Sequence, residues 1–345
     1  MTKTKSAGLN YYENTSVTMD MVDKLISDVK MNVNLNVNPE FGIELALVIP
    51  YAYWLHRNGK LGTVRTSKGM SPFYYFCEDV EEVFKERSLD NRMSMIGVPN
   101  IWIHHNAFAL TGRDYSDLSE TEQESVNGVL DYSQWECPPY RERYKNNEFK
   151  LSPRMIFISN KYNIEHGEPP MGYFDIECLI NMFSMLNQMG YTVIYKRPSN
   201  KETDFSLDLN EQSSLANGYL NIQAEVNGKI ITDYELTNYF DNVILFDDLL
   251  KDSKLSYNET QLKVMANCEN FISVCGGNSI LSSLFGGQMI TYVHKGKELR
   301  GNYFGKDSYF RKLSSTNVFP ILDPQVMTTG NHDYTKLYQT MKEIL

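Results

Sequence analysis

The sequence predicts an α/β protein of two domains, each a parallel sheet covered by helices on both faces. Three observations carry this. At 345 residues the chain exceeds one ordinary core and divides, on size, into two units of roughly 150 to 200 residues. Short apolar runs alternate with longer segments of helical period, an order that gives parallel strands joined by crossover helices. From 271 to 287 the chain reads FISVCGGNSILSSLFGG, a buried strand, a glycine turn and a helix start in immediate succession.

The first half starts polar, with a helical pattern from Thr18 through Val29. Lys30 to Val37, alternating Val33, Leu35 and Val37 with Asn, reads as the first strand, and Asn38-Pro39-Glu40-Phe41-Gly42 as its loop. A helix follows from Ile43 to Arg57, its apolar residues at helical spacing, with a kink or early break expected at Pro50. Asn58-Gly59 closes it, and Gly62 to Ser67 supplies the next strand. Pro72 to Phe76 and Ile101 to His105 read as further strands, and 111 to 132 as acidic and partly helical. The stretch 135–150, WECPPYRERYKNNEFK, pairs a double proline with a charge run and reads as a solvated interdomain linker without chemistry of its own.

The second half is clearer. MIFIS (Met155 to Ser159) is a strand, followed by a polar loop from Asn160 to Gly172 and a helix from Phe174 to Met189 that Gly190 stops. YTVIY (Tyr191 to Tyr195) is the next strand, and 199–238 a long polar insertion. Strand Val243 to Phe246, a helix near Tyr257 to Ala266, the glycine-turn unit, strand Met289 to Val293 and a helix Tyr334 to Leu345 complete the order. The expected division is 1–150, 151–330 and a last helix, 331–345, crossing back to the first domain. No internal repeat of fixed period is present.

Hydrophobic content of 42% and charged content of 22% match soluble globular averages, so neither disorder nor a fibrous repeat is indicated. A formal net charge of −10 argues against a general nucleic-acid binder, which needs a basic face. Any anionic ligand then requires locally placed cations. Five cysteines, odd in number and without a CxxC pair, suggest neither a disulfide framework nor a zinc site. The N-terminus lacks a secretory apolar core and no run of about 18 apolar residues occurs, so a cytoplasmic protein without a transmembrane segment is expected.

In an open parallel sheet, ligands bind outside the carboxyl ends of the strands. Asn160 and Lys161 follow MIFIS, Arg197 follows YTVIY, Asp247 and Asp248 follow VILF, and Gly276, Gly277, Asn278 and Ser279 follow FISV. Strand, glycine turn and helix N-terminus form an anion cradle. The turn matches neither GxGxxG nor GxxxxGK[ST]. Lys161 and Arg197 are the candidates to neutralise a diphosphate there, Arg197 because its fork binds phosphate bidentately. Asp247, Asp248 or a nearby backbone group is the candidate partner for a ribose or base. Taken singly, each residue also reads as a surface charge at a strand end; joint placement on one sheet edge favours a site.

The FGIEL segment, the strand ending in Arg197 and the FISVCGGNSILSSLFGG unit together resemble glycosyltransferases of the two-domain GT-B type, closest to fucosyltransferase-like and giant-virus or bacterial surface-glycan enzymes. The resemblance implies two Rossmann-like domains with a cleft between them, a nucleotide-sugar donor bound by the second domain and a glycan acceptor bound by the first. It also implies transfer with no required cofactor or metal and Arg197 on the diphosphate. Inverting transfer is the favoured mechanism, and for its base Glu44, in the Gly42-Ile43-Glu44 turn, is the first candidate, since it opens a helix beside the first strand and is expected to face the cleft. Glu40, His104, His105 and Asp114 are rivals for the base, and Glu44 also reads as an acid favourable to its own helix dipole. His166 and His294 are not assigned. Where that family has His-x-Arg, this chain has Tyr195-Lys196-Arg197, leaving GDP-fucose as one candidate donor among several. No DxD motif is present; Asp204 and Asp208, and the adjacent Asp247-Asp248, lack its spacing. A nucleotide-sugar epimerase, a pyruvyl transferase of similar architecture and a non-catalytic binding protein are the competing functions.

Overall fold

The computed structural model describes residues 32–88, 94–99, 111–113, 117–127, 132–162, 170, 172–197, 222–294, 304–305, 308–326 and 330–345. The helix expected at 18–29 and the strand at 101–105 lie outside them.

Strand β1 (Val33–Val37) buries Leu35 and Val37, as alternation on a pleated strand requires. Helix α1 follows as Phe41–Ile43, a π turn Glu44–Val48, and Ile49–Arg57. The break expected at Pro50 does not occur. The π turn widens the hydrogen-bond spacing just where the proline removes an N–H donor, and the helix runs on. Carbonyls near the proline are met from outside: Trp135 Nε1 donates to Leu47 O at 2.8 Å and Glu136 N to Pro50 O at 3.1 Å.

β2 (Leu61–Ser67) and β3 (Val80–Phe84) pair parallel in the order β3-β2-β1, and β4 (Met95–Ile96) runs antiparallel on the other side of β1. Pro72 to Phe76 is not a strand. Its first part is a 3-10 turn, Ser71–Tyr74, because Pro72 cannot donate to a ladder while Phe73 and Tyr74 are wanted in the core. The edge strand is instead the charged VEEVF segment.

The carboxyl-terminal half holds a six-stranded, all-parallel sheet of β5 (Met155–Ser159), β6 (Thr192–Lys196), β9 (Val243–Leu245), β10 (Asn270–Val274), β11 (Gln288–Val293) and β12 (Asn317–Leu322). Its order, β12-β11-β10-β5-β6-β9, is the doubly wound Rossmann order 3-2-1-4-5-6, with the reversal between β5 and β10. Both faces are buried. Phe157, Phe271 and Met289 enter one apolar cluster, while Ile158, Ile272 and Ile290 enter the other. Between β6 and β9, in the stretch expected to be a polar insertion, β7 (Gln223–Val226) and β8 (Lys229–Thr232) form a hairpin turned by Asn227 (φ 53°) and Gly228 (φ 77°).

Among the described residues the helices after α1 are α2 (Glu120–Asn127), α3 (Tyr140–Tyr144), α4 (Ile176–Gln188), α5 (Asp233–Thr237), α6 (Phe246–Asp252), α7 (Tyr257–Ala266), α8 (Gly277–Ser282), α9 (Tyr309–Lys312) and α10 (Thr335–Ile344). α10 does not cross back. Its Leu337 and Met341 pack with Ile290 and Tyr292 on the outer face of the large sheet.

The stretch 135–150 is not a solvated linker either. Trp135, Tyr140, Tyr144 and Phe149 are buried, Tyr140 and Tyr144 one helical turn apart on the inner face of α3, and Tyr140 OH donates to Phe73 O at 2.7 Å. One apolar cluster runs from Leu35 and Val64 through Tyr140 to Phe157 and Met289, so the two halves meet over a filled contact along it.

Candidate functional site

The reversal between β5 and β10 places two loops side by side. Ser159 pairs with Ser273, so Asn160-Lys161 and Val274-Cys275-Gly276 leave the sheet together. Gly276 sits at φ 141°, ψ −163°, backbone open essentially to glycine alone. A Cβ there would lie 3.5 Å from Lys161 Nζ, so the lysine is over the turn. Asn160 fixes the base of that loop: its Oδ1 accepts from Lys161 N and Phe174 N, each at 2.9 Å, and its Nδ2 donates to Tyr195 OH at 3.1 Å. Ser279, expected as a ligand contact, is buried and holds the turn; its hydroxyl donates to Gly276 O at 2.7 Å and accepts from Gly276 N at 3.2 Å. The peptide N–H groups of Gly277 and Asn278 open α8 and have no carbonyl one helical turn behind them.

The cation that ends β6 and reaches this turn is Lys196 rather than Arg197. Successive strand residues point to opposite faces. Lys196 is 4% exposed, stands 4.9 Å from the Tyr257 ring centroid, donates to Gln261 Oε1, and donates to Asn278 Oδ1 at 3.3 Å. Gln261 Nε2 is buried there with no hydrogen-bond partner. Arg197, on the other face, pairs with Asp233 of α5 through Nε at 2.7 Å and stacks on Tyr234. Burial works to lower the Arg197 pKa, but Asp233 and its neighbours outweigh it and the net direction is upward. Tyr195 OH also donates to Asp233, at 2.8 Å, and burial pushes that phenol well above its ordinary range.

Glu44 does not face a cleft. It is fully buried, accepts from Arg87 Nη1 at 2.6 Å, Tyr74 OH at 2.8 Å and Thr66 Oγ1 at 2.5 Å, and so ties α1 to β2 and to the segment after β3. Burial first, then Glu44, raise the Tyr74 phenol well above its usual range. Among its rivals, Glu40 is exposed at the N-terminus of α1, while His104, His105 and Asp114, like the unassigned His166, lie outside the described residues. His294 follows β11, is buried, and packs so closely that a Cβ on Gly172 would fall 2.0 Å from its Cε1.

No family model and no curated protein matches the chain. Among solved structures, a glycosyl transferase family 9 protein from Veillonella parvula is similar over 92% of this chain and 91% of its own, at 9% sequence identity and a TM-score of 0.41.

Of the residues picked from sequence, the structure brings together Lys161, Gly276, Gly277, Asn278 and Ser279, and sets Arg197, Glu44 and Asp247 elsewhere. Asp247 lies in the first turn of α6, and its strand β9 is three strands from β10, roughly 14 Å at normal sheet spacing. Lys196 and Gln261 were missed. Strand parity carried the signal for Lys196, since Thr192, Ile194 and Lys196 share the face opposite Val193 and Tyr195. Gln261 sits mid-helix without a local motif.

Proposed function

We propose that the chain is a glycosyltransferase acting on a nucleotide-diphosphate sugar, with the diphosphate held at the turn Gly276 to Asn278. What supports this is that Lys161 and Lys196 reach Gly276 and Asn278 of one glycine turn at the reversal point of a Rossmann sheet. As the acceptor oxygen bonds to the anomeric carbon, the bond to the diphosphate oxygen breaks and charge grows on the leaving group. The two ammonium groups and the first N–H groups of α8 face that charge. Glu40 is the carboxylate we assign to take the acceptor proton, because it is exposed beside Phe41 and Gly42, which touch Gly277. Arg197 and Glu44 are assigned as buried anchors. Asp247 is assigned to the ribose or base, GDP-fucose remains one candidate donor, and the glycan acceptor is assigned to the first half.

A panel of nucleoside diphosphates and their sugars tests this. One nucleotide should raise the melting temperature, about 2.7 kcal/mol of stabilisation at a hundredfold excess over Kd, and its sugar should be slowly hydrolysed. Lys161→Ala should abolish both effects. If no nucleotide shifts melting and no donor is consumed, the reading is wrong.

A further inference from the structure

At the opposite, amino-terminal edge of the large sheet, the charge run 141–154 folds into a second feature. It curls around the starts of β5 and β10 and lines a cavity of about 180 Å³ with Arg141, Lys145, Lys150 and Arg154. We propose that this cavity binds a small phosphate-bearing anion, at a site separate from the glycine turn. The five-residue β10 lies between the two, roughly 16 Å of strand, so one ligand of diphosphate size does not touch both.

The argument is electrostatic and geometric. Four cations converge in a chain whose net charge is −10, and among the described residues Arg141, Lys145 and Lys150 have no carboxylate within ion-pair distance. Glu269 is the single acid in the lining. Both guanidinium groups are held in place by backbone oxygens. Arg141 Nη2 donates to Gly286 O at 3.1 Å; Arg154 donates to Met189 O at 2.7 Å and Leu345 O at 3.1 Å, with its Cζ 4.2 Å from the Tyr191 ring centroid. Each keeps further N–H donors for a ligand. Burial pushes the Arg141 pKa down, with Glu269 opposing, so an added anion would offset a real desolvation cost. Pockets for drug-sized ligands run from about 300 Å³ upward, so this one suits a phosphate or pyrophosphate group and not a whole nucleotide.

Calorimetric titration of the full chain with pyrophosphate, at constant ionic strength in chloride, tests the site. Lys145 and Lys150 are exposed, so Lys145→Gln/Lys150→Gln should leave the fold intact. The comparison is made in a Lys161→Ala/Lys196→Met background, which removes both lysines assigned to the glycine turn. Pyrophosphate should bind there, and the double substitution should weaken it about tenfold or more. Equal affinity with and without the two lysines, or no pyrophosphate binding, overturns the proposal. Failure of every nucleotide to bind would overturn the donor reading and leave this result standing.

Discussion

Gly42 and Gly277 meet backbone to backbone where the first turn of α1 crosses the first turn of α8. A Cβ on Gly42 would lie 3.4 Å from Gly277 Cα and 3.3 Å from Ile280 Cδ1, and one on Gly277 would lie 3.1 Å from Phe41 Cδ1. Neither position has room for more than a methyl group. Gly42→Ala gains up to about 1 kcal/mol of helix propensity and displaces only the end methyl of Ile280, so near-neutral stability is expected. Gly42→Leu must push the two halves apart and should cost about 1–3 kcal/mol, as overpacking does. Urea midpoints measure both. A stable Gly42→Leu protein would mean that this crossing opens freely.

Glu44 and Arg87 form an ion pair with both side chains fully buried. Removing one partner strands the other, which typically costs about 3–5 kcal/mol. Glu44→Gln should therefore lower the urea midpoint strongly, with any loss of donor turnover following the loss of folded protein. Unchanged stability with turnover selectively lost would return Glu44 to the chemistry.

Lys196 and Arg197 should separate cleanly. Lys196→Met keeps the apolar stem against Tyr257 and removes the charge beside Asn278, so it should weaken nucleoside diphosphate binding by tenfold or more while changing stability little. Arg197→Met leaves Asp233 buried without its cation, and about 3–5 kcal/mol of stability should go. Denaturation and nucleotide titration on each variant give the two columns of the comparison. Nucleotide affinity that follows Arg197 and ignores Lys196 would reverse the assignment.

The large sheet was legible because its strands are buried on both faces and read as continuous apolar runs: MIFIS, YTVIY and FISV stand where they were expected. β12 was not, since NVFPIL carries a proline and forms an edge. The β7–β8 hairpin was also missed, although Asn227-Gly228 between alternating residues is a strong turn signal; the polarity of its surroundings masked it. For the site, loop positions after strands were legible and side-chain direction was not. Both its fork and the family resemblance point to Arg197, but the one-residue parity of β6 turns Lys196 toward Asn278 and Arg197 toward Asp233. Glu44 looked like an exposed first-turn acid because nothing local announces Arg87, forty-three residues away and buried against it.

His332 gives the protein an acid-sensitive element. Its Nδ1 lies 3.0 Å from Tyr292 OH, whose proton goes to Asp323 at 2.5 Å, and its ring stacks on Tyr334. Burial holds the imidazole below its usual range, against the pull of Asp175 and Asp323. The unfolded chain binds the His332 proton near pH 6.5, about the value for a free imidazole, and the folded chain binds it only at lower pH. Between those two points the unfolded state carries more protons, so stability falls as pH drops, while above about pH 6.5 the contribution is complete. Asp333, whose carboxyl is lowered by the Thr335 N–H, adds its own loss only further into acid. Urea midpoints should therefore decline from about pH 7 to about pH 5.5 in the native chain, and His332→Gln should flatten that stretch. An equal decline in the variant would show that His332 is not the titrating group.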